Sequence, residues 1–291
     1  MSRDVDTPRD VVFTVHEARR GVAWLRQAWT LFSRARVPWL FMLATYYMVM
    51  MAIELVPFVG QLAVPLVKPV FAVGFLAAAW TQERGGSPRV RDLFLGFRSN
   101  LAALLVLGAV FVAGITLAVL STMVVDGGKL LDALTSPAPA SGEARETWAA
   151  TLAATLRDPR TVLAMLFAIV VALPTLAALW FAPGLVVFQD LPAPAALGYS
   201  LKAALANWRP LVFYGFTVFA VGGLLPALAL ALISAVLPPS AIAVLAIALL
   251  MPFAFFFAAT LHVSDYVSYR DVFHAGETLA PLTPTAGSLR D

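Results

Sequence analysis

The chain has 291 residues, of which 60% are hydrophobic and 13% are charged, and its mean hydropathy is +0.84. A soluble domain carries roughly 25% charged residues, so a chain this poor in charge cannot cover a soluble surface and must lie largely in lipid. The net charge of +3 does not indicate nucleic-acid binding, because the arginines crowd the ends of apolar runs, and the lack of cysteine excludes disulfides, thiolate nucleophiles, iron–sulfur clusters and cysteine-ligated zinc.

The chain begins with a polar segment that does not resemble a cleavable signal peptide, since it has no short apolar core. We expect residues 1–18 to form a flexible cytoplasmic N-terminus. Residues 20–36, RGVAWLRQAWTLFSRAR, have the periodicity of an amphipathic helix. Basic and aromatic residues on such a helix suit the headgroup layer, so we predict an interfacial helix here.

Six apolar runs follow, and each is long enough to cross the roughly 30 Å hydrocarbon core, which takes about 20 helical residues. They predict an all-α fold, a polytopic transmembrane bundle whose membrane domain covers residues 19–274. A periplasmic loop is expected at about 125–160, and a disordered cytoplasmic tail at 275–291. The predicted spans are about 37–56, 60–81, 101–124, 161–188, 211–237 and 241–263.

The positive charges predict the orientation of the bundle. Fifteen Lys and Arg residues lie on the side that holds both termini, four lie in the 125–160 loop, and Lys68 lies within a span. Cytoplasmic loops carry the excess of Lys and Arg in membrane proteins. We therefore predict that both termini lie in the cytoplasm.

A threefold pattern also runs along the chain. Each outward span follows a short amphipathic segment, namely 22–36, RVRDLFLGFRSN and ALGYSLKAALANW. The chain therefore reads as three hairpins of the same orientation, each with an entry helix. This is the pattern of a parallel internal repeat. A bundle with interfacial entry helices and no true repeat would give the same pattern, so both interpretations remain open.

Lys68 is the most conspicuous polar residue, because it lies near mid-depth of the second span. An ammonium there costs about 2.5–3.5 kcal/mol on insertion scales. In the functional interpretation it is an anion or proton site in a polar cavity. In the structural interpretation, which the sequence favours, it extends toward the outer surface and pairs with Glu54 at the end of the first span.

A second polar group lies where the last span ends on the cytoplasmic side. His262 and Asp265 are three residues apart and can share a helix face, and Arg270 follows. Asp190, Asn207 and Arg209 are expected in the same inner polar layer. A capping and ion-pair network is favoured over a metal site or catalytic triad, so no catalytic, cofactor or metal residues are predicted. Six tryptophans near span ends predict an aromatic belt.

Three segments carry a resemblance to known proteins: GVAWLRQAWTLF at 21–32, FAPGLVVFQDLPAPAALGYSLKAALANWRP at 181–210, and DYVSYRDVF at 265–273. They resemble an uncharacterised family of proteobacterial, mainly betaproteobacterial, six-span inner-membrane proteins. A more distant likeness is to bacterial membrane domains found fused to glycerophosphodiester phosphodiesterases, although the phosphodiesterase domain is absent from this sequence. The resemblance implies topology and localisation, and no activity.

The sequence leaves three classes of function open. The favoured one is a non-enzymatic scaffold, assembly or envelope role, with the lipid bilayer and either a protein partner or a second copy as partners. The second is a transporter or channel for a small solute or ion, with a site near Lys68. The third is a lipid-interacting enzyme. A water-filled cavity reaching Lys68 would favour transport, whereas a dry core with a lateral groove would favour lipid or protein partners.

Overall fold

The computed structural model describes residues 11–57 and 59–275. Within them, the six long apolar helical stretches confirm the predicted all-α, six-span fold. The helices are α1 (Arg20–Ser33), α2 (Arg36–Glu54), α3 (Val59–Glu83), a 3₁₀ helix (Val90–Arg98), α4 (Leu101–Ser121), α5 (Met123–Asp126), α6 (Lys129–Thr135), α7 (Glu143–Arg157), α8 (Pro159–Trp180), α9 (Ala182–Phe188), α10 (Ala193–Ala206), α11 (Trp208–Phe219), a π-helical turn (Ala220–Leu224), α12 (Leu225–Ser234) and α13 (Pro239–Phe273).

The fourth span is broken at Phe181, between α8 and α9. Pro183 has no N–H to donate, and the Ser200 hydroxyl from α10 occupies the break. It accepts a hydrogen bond from the Phe181 N–H at 3.0 Å and donates one to the Ala177 carbonyl at 3.1 Å. The sequence predicts one proline-interrupted span here, and the structure gives two helices joined through a side chain of a third.

The last helix is the longest, with 35 residues or about 52 Å, so it exceeds the thickness of a bilayer core. It runs ten residues past the predicted end of the sixth span, through Phe273. The additional turns carry the polar side chains of Asp265, Arg270 and Asp271, which therefore lie with His262 on one continuous helix.

The six spans form three hairpins, which we name hairpin A (α2, α3), hairpin B (α4, α8–α9) and hairpin C (α11–α12, α13). Each entry helix packs mainly against the returning helix of the preceding hairpin: the 3₁₀ helix against α3, α10 against α8, and α1 against α13. The order is cyclic, because the first entry helix packs against the last hairpin. Gly74 and Gly96 permit the first of these contacts, since a side chain at either would collide with the backbone of Leu93 or Val70.

The three entry helices lie at one end of the bundle, which we call the basal end; the opposite end is the distal end. Residues 11–17 are also held there, because the Thr14 N–H donates to the Val272 carbonyl at 2.7 Å. Part of the segment expected to be flexible is thus fixed to α13. Residues 1–10 and 276–291 of the two expected flexible termini lie outside the described residues.

Hairpin C is packed at its basal end alone. Between residues 220 and 258 no described side chain is buried, whereas buried positions recur along α13 from Ala259 to Phe273. This hairpin is therefore joined to the rest of the bundle through its basal half.

Candidate functional site

A cavity of about 900 Å³ lies where the three hairpins meet. It follows α3 from Val64 to Leu76, about 18 Å along the helix axis, and so covers much of the membrane thickness. The lining is largely apolar and aromatic, with Tyr46, Tyr47, Phe75, Phe111, Trp180 and Tyr269 among its members. A concave, mostly apolar site with a few polar groups has the character of a small-molecule site.

Lys68 lines the cavity, and its Nζ lies 5.5 Å from the centroid of the Phe111 ring. Glu54 lines the same cavity near its distal end. Among the described residues, the salt bridges include neither Lys68 nor Glu54, so the predicted direct pair is not formed. Lys68 is left as a cation supported by an aromatic ring alone.

His262 and Asp265 line the basal end of the cavity. The His262 ring stacks on Phe75 at 4.0 Å between centroids, and its Nδ1 lies 3.9 Å from Asp265 Oδ2. Because the imidazole is held flat against a ring on α3, its position is fixed by packing more than by the carboxylate. Four of the eight predicted residues (Lys68, Glu54, His262, Asp265) therefore share one cavity.

The other polar groups close the basal end below the cavity, and Asp271 is the first centre of this network. Its carboxylate accepts two hydrogen bonds from the Arg20 guanidinium at 2.5 and 2.6 Å and one from the indole N–H of Trp24 at 2.7 Å. The hydrogen bond to Asp271 raises the pKa of Arg20 above its ordinary value. α1 and α13 are thus joined by a partly buried charged contact.

Arg270 forms the second centre. Its guanidinium pairs with Glu83 at the end of α3 and donates to Gln27 of α1 at 3.1 Å, while the Tyr266 hydroxyl donates to Glu83 at 2.6 Å. These contacts connect α1, α3 and α13 directly beneath the cavity.

The remaining three predicted residues have structural positions. Asn207 is buried and bonds the carbonyls of Thr14 and Ala203 and the N–H of His16. Asp190 has φ +51° at the end of α9, where the next N–H bonds back to Leu185, so it occupies the left-handed position that terminates a helix. Arg209 is exposed and stacks over Trp208 at 5.5 Å.

The predicted aromatic belt is wrong for two tryptophans. Trp24 and Trp39 are fully buried, and the indole N–H of Trp39 donates to Gln82 at 2.6 Å. Gln82 in turn donates to the Leu31 carbonyl at 2.6 Å. A buried indole needs an acceptor, and the polar residues at the end of α3 supply it.

The sequence did not predict these pairings or the roles of Arg20 and Glu83 in them, because the paired residues lie as far as 251 positions apart in the chain. The available signal was the presence of uncompensated acidic residues at the basal ends of α3 and α13. Within the described residues, no group of three or more His, Asp or Glu side chains is arranged to hold a metal ion.

A comparison with known proteins supports the membrane assignment. A probable inner membrane protein of Burkholderia thailandensis is 30% identical over 271 residues, which is 92% of this chain and 96% of that protein. The chain belongs to the same family. The resemblance to betaproteobacterial inner-membrane proteins is thereby confirmed, and the chain is a multi-pass inner membrane protein.

Two further comparisons give no match. No protein-family model matches the chain, so the more distant resemblance to phosphodiesterase-fused membrane domains stays a prediction. No solved structure matches it either.

Proposed function

We propose that this inner membrane protein binds a small organic anion with an apolar body in the central cavity and carries it across the membrane. The observation that supports this most is the position of Lys68, which has no acidic partner among the described residues, inside a cavity where all three hairpins meet. The sequence hypothesis that this cavity favours is transport, over a scaffold role.

The energetics of Lys68 support a ligand of negative charge. An ammonium near mid-depth costs about 2.5–3.5 kcal/mol on insertion, and an intramembrane charge without a protein partner is most readily explained by a ligand or an aqueous path. The Phe111 ring recovers part of that cost through a cation–π contact. A carboxylate or phosphate at Lys68 would supply the missing partner, and the aromatic lining would enclose an apolar body.

The surrounding helices supply elements that can move. The break at Phe181 places Pro183 and Gly184 on the cavity wall, and discontinuous helices commonly line transporter sites. The network around Glu83 and Arg270 closes the basal end. Release on that side would require the contacts of Arg270 to Glu83 and Gln27 to separate.

The experiment is an untargeted mass-spectrometric comparison of small molecules that copurify with the full chain from native membranes. The variants are Lys68→Met and, as a matched control, Lys202→Met, which removes an exposed lysine on α10 that does not line the cavity. A charged hydrogen bond contributes about 1.5–3 kcal/mol, so we expect an acidic species to fall about tenfold or more in Lys68→Met alone.

Two results would contradict the proposal. One is an identical small-molecule profile in wild type and Lys68→Met. The other is a coupling of about 1 kcal/mol or more between Lys68→Met and Glu54→Gln in a double-mutant cycle on stability, which would make Lys68 a structural partner of Glu54.

We also infer that the basal end faces the cytoplasm, on the basis of the fifteen-to-four distribution of Lys and Arg. An alkaline phosphatase reporter fused after Ala140 should be active, and one fused after Gly287 should be silent. The reverse pattern would overturn the orientation without affecting the cavity argument.

A further inference from the structure

A second recess, separate from the central cavity, lies between α1 and hairpin C. It has a volume of about 610 Å³ and is lined by apolar side chains of three helices, among them Leu25, Trp29, Val221, Phe253 and Phe256. Among the described residues, the linings of this groove and of the central cavity have no member in common. We refer to it as the α1 groove.

The polar side chains of the α1 groove differ in whether they are free to bind a ligand. The hydroxyls of Thr217 and Thr260 donate to carbonyls of their own helices at 2.7 and 2.8 Å, so they offer no free donor to a ligand. Arg26 is exposed, and among the described residues it forms no side-chain hydrogen bond or salt bridge. The groove therefore combines an apolar interior with one guanidinium that has no charged partner among the described residues.

A second cation contacts a residue of the groove wall. The guanidinium of Arg36 stands 5.9 Å from the centroid of the Trp29 ring, and Trp29 lines the groove together with Arg26. The opposite wall is irregular, because Val221 belongs to the π-helical turn and Pro252 interrupts the hydrogen bonding of α13. Single π-helical turns frequently occur at functional sites, and here the irregular backbone shapes the groove.

We propose that the α1 groove binds one anionic phospholipid, with its acidic headgroup at Arg26 and Arg36 and one acyl chain between α1 and hairpin C. The occupant follows from charge complementarity, since a basic pocket between helices at the membrane surface matches an anionic headgroup. The apolar interior matches the chain. Such a lipid covers the face that joins hairpin C to α1.

The test is native mass spectrometry of the full chain, delipidated and then incubated with phosphatidylglycerol or, separately, phosphatidylcholine. Wild type should retain one phosphatidylglycerol in preference to phosphatidylcholine. One arginine near an anionic lipid contributes about a fivefold preference, so Arg26→Gln should reduce retention of phosphatidylglycerol by about that factor.

Matched variants distinguish lipid binding in the groove from a general effect of surface charge. Arg34→Gln removes the same charge from the end of the same helix, outside the groove, and should behave as wild type. Val22→Trp adds bulk at a position that is 42% exposed on the groove wall and should lower retention of both lipids. Lys68→Met should leave lipid retention unchanged, which keeps this test independent of the central cavity.

Equal losses in Arg26→Gln and Arg34→Gln would overturn the proposal in favour of a general surface-charge effect. Equal retention of the two lipids by wild type would overturn it as well, because the groove would then bind acyl chains without regard to the headgroup.

Discussion

The basal end and the central cavity differ in how their charged side chains are paired. At the base, Asp271 and Arg270 each bond side chains from other helices. In the cavity, Lys68 and Glu54 form no salt bridge with any residue that the structure describes, and Lys68 is in contact with an aromatic ring. The basal contacts join α1, α3 and α13, whereas Lys68 and Glu54 are the charges to which the proposed function assigns a ligand.

The largest expected effect is the loss of the Asp271 carboxylate, which would leave Arg20 and the Trp24 indole without their acceptor. Breaking a buried ion pair costs about 3–5 kcal/mol, but the Arg20 side chain is 38% exposed, so we expect about 2–3 kcal/mol for Asp271→Ala. Unfolding in detergent followed by circular dichroism measures it. Asp132→Ala, on exposed α6, is the control and should change stability by at most about 0.5 kcal/mol. Equal losses of stability in Asp271→Ala and Asp132→Ala would show that the basal carboxylate stabilises the fold no more than a surface carboxylate does.

A smaller effect is expected at Asn207, which joins residues 14 and 16 to α10. Asn207→Ala removes three hydrogen bonds and should cost about 1–3 kcal/mol. Hydrogen exchange of the 11–17 segment should become much faster, while exchange in α3 stays slow. If both segments accelerate together, the N-terminal segment is coupled to the whole bundle and does not open by itself.

Substitutions of Asp190, at the end of α9, test whether this predicted polar residue has a structural role. Its φ of +51° costs a side chain about 1 kcal/mol, which glycine avoids. Asp190→Gly should therefore raise stability by up to about 1 kcal/mol, and Asp190→Ala should lower it. A loss of copurifying ligand in Asp190→Gly, with stability retained, would instead assign Asp190 to the function.

The smallest effect is expected in the loop at the distal end, where Lys129 and Asp158 form an exposed salt bridge at 2.7 Å. Hydrogen bonds from Lys129 and from the Arg160 N–H lower the pKa of Asp158, so this contribution is present above the unfolded pKa of about 4 and is lost as pH falls through the lowered value. Lys129→Gln should slightly reduce that acid dependence, and 1 M salt should do the same in wild type. A large effect at pH 7 would show that the loop supports the bundle.

The sequence was sufficient for the six spans because their apolar runs are long and nearly free of charge, and this signal does not depend on tertiary contacts. It also identified Lys68, since a charge at mid-depth is conspicuous without a structure. The break at Phe181 was only partly predictable: Pro183 indicated an interruption, but the Ser200 hydroxyl that bridges it comes from another helix.

The basal network could not be predicted in the same way. Arg20, Trp24 and Asp271 meet because the first entry helix packs against the last hairpin, and no local pattern specifies that arrangement. Placing Trp24 and Trp39 in an aromatic belt failed for the same reason, because a tryptophan near a span end can face either lipid or an acceptor inside the bundle.

The central claim is that the cavity around Lys68 can be entered by a solute, and the lack of cysteine in the chain permits a direct test. Ala72→Cys places one thiol on the cavity wall, and Ala78→Cys places one at a fully buried position on the same helix. A membrane-impermeant thiol reagent added on the distal side should label Ala72→Cys rapidly. The same reagent added on the basal side should label it slowly, because access from that side requires the bundle to open there. Ala78→Cys should stay unlabelled. Labelling of Ala72→Cys as slow as that of Ala78→Cys would show a dry cavity and contradict the account.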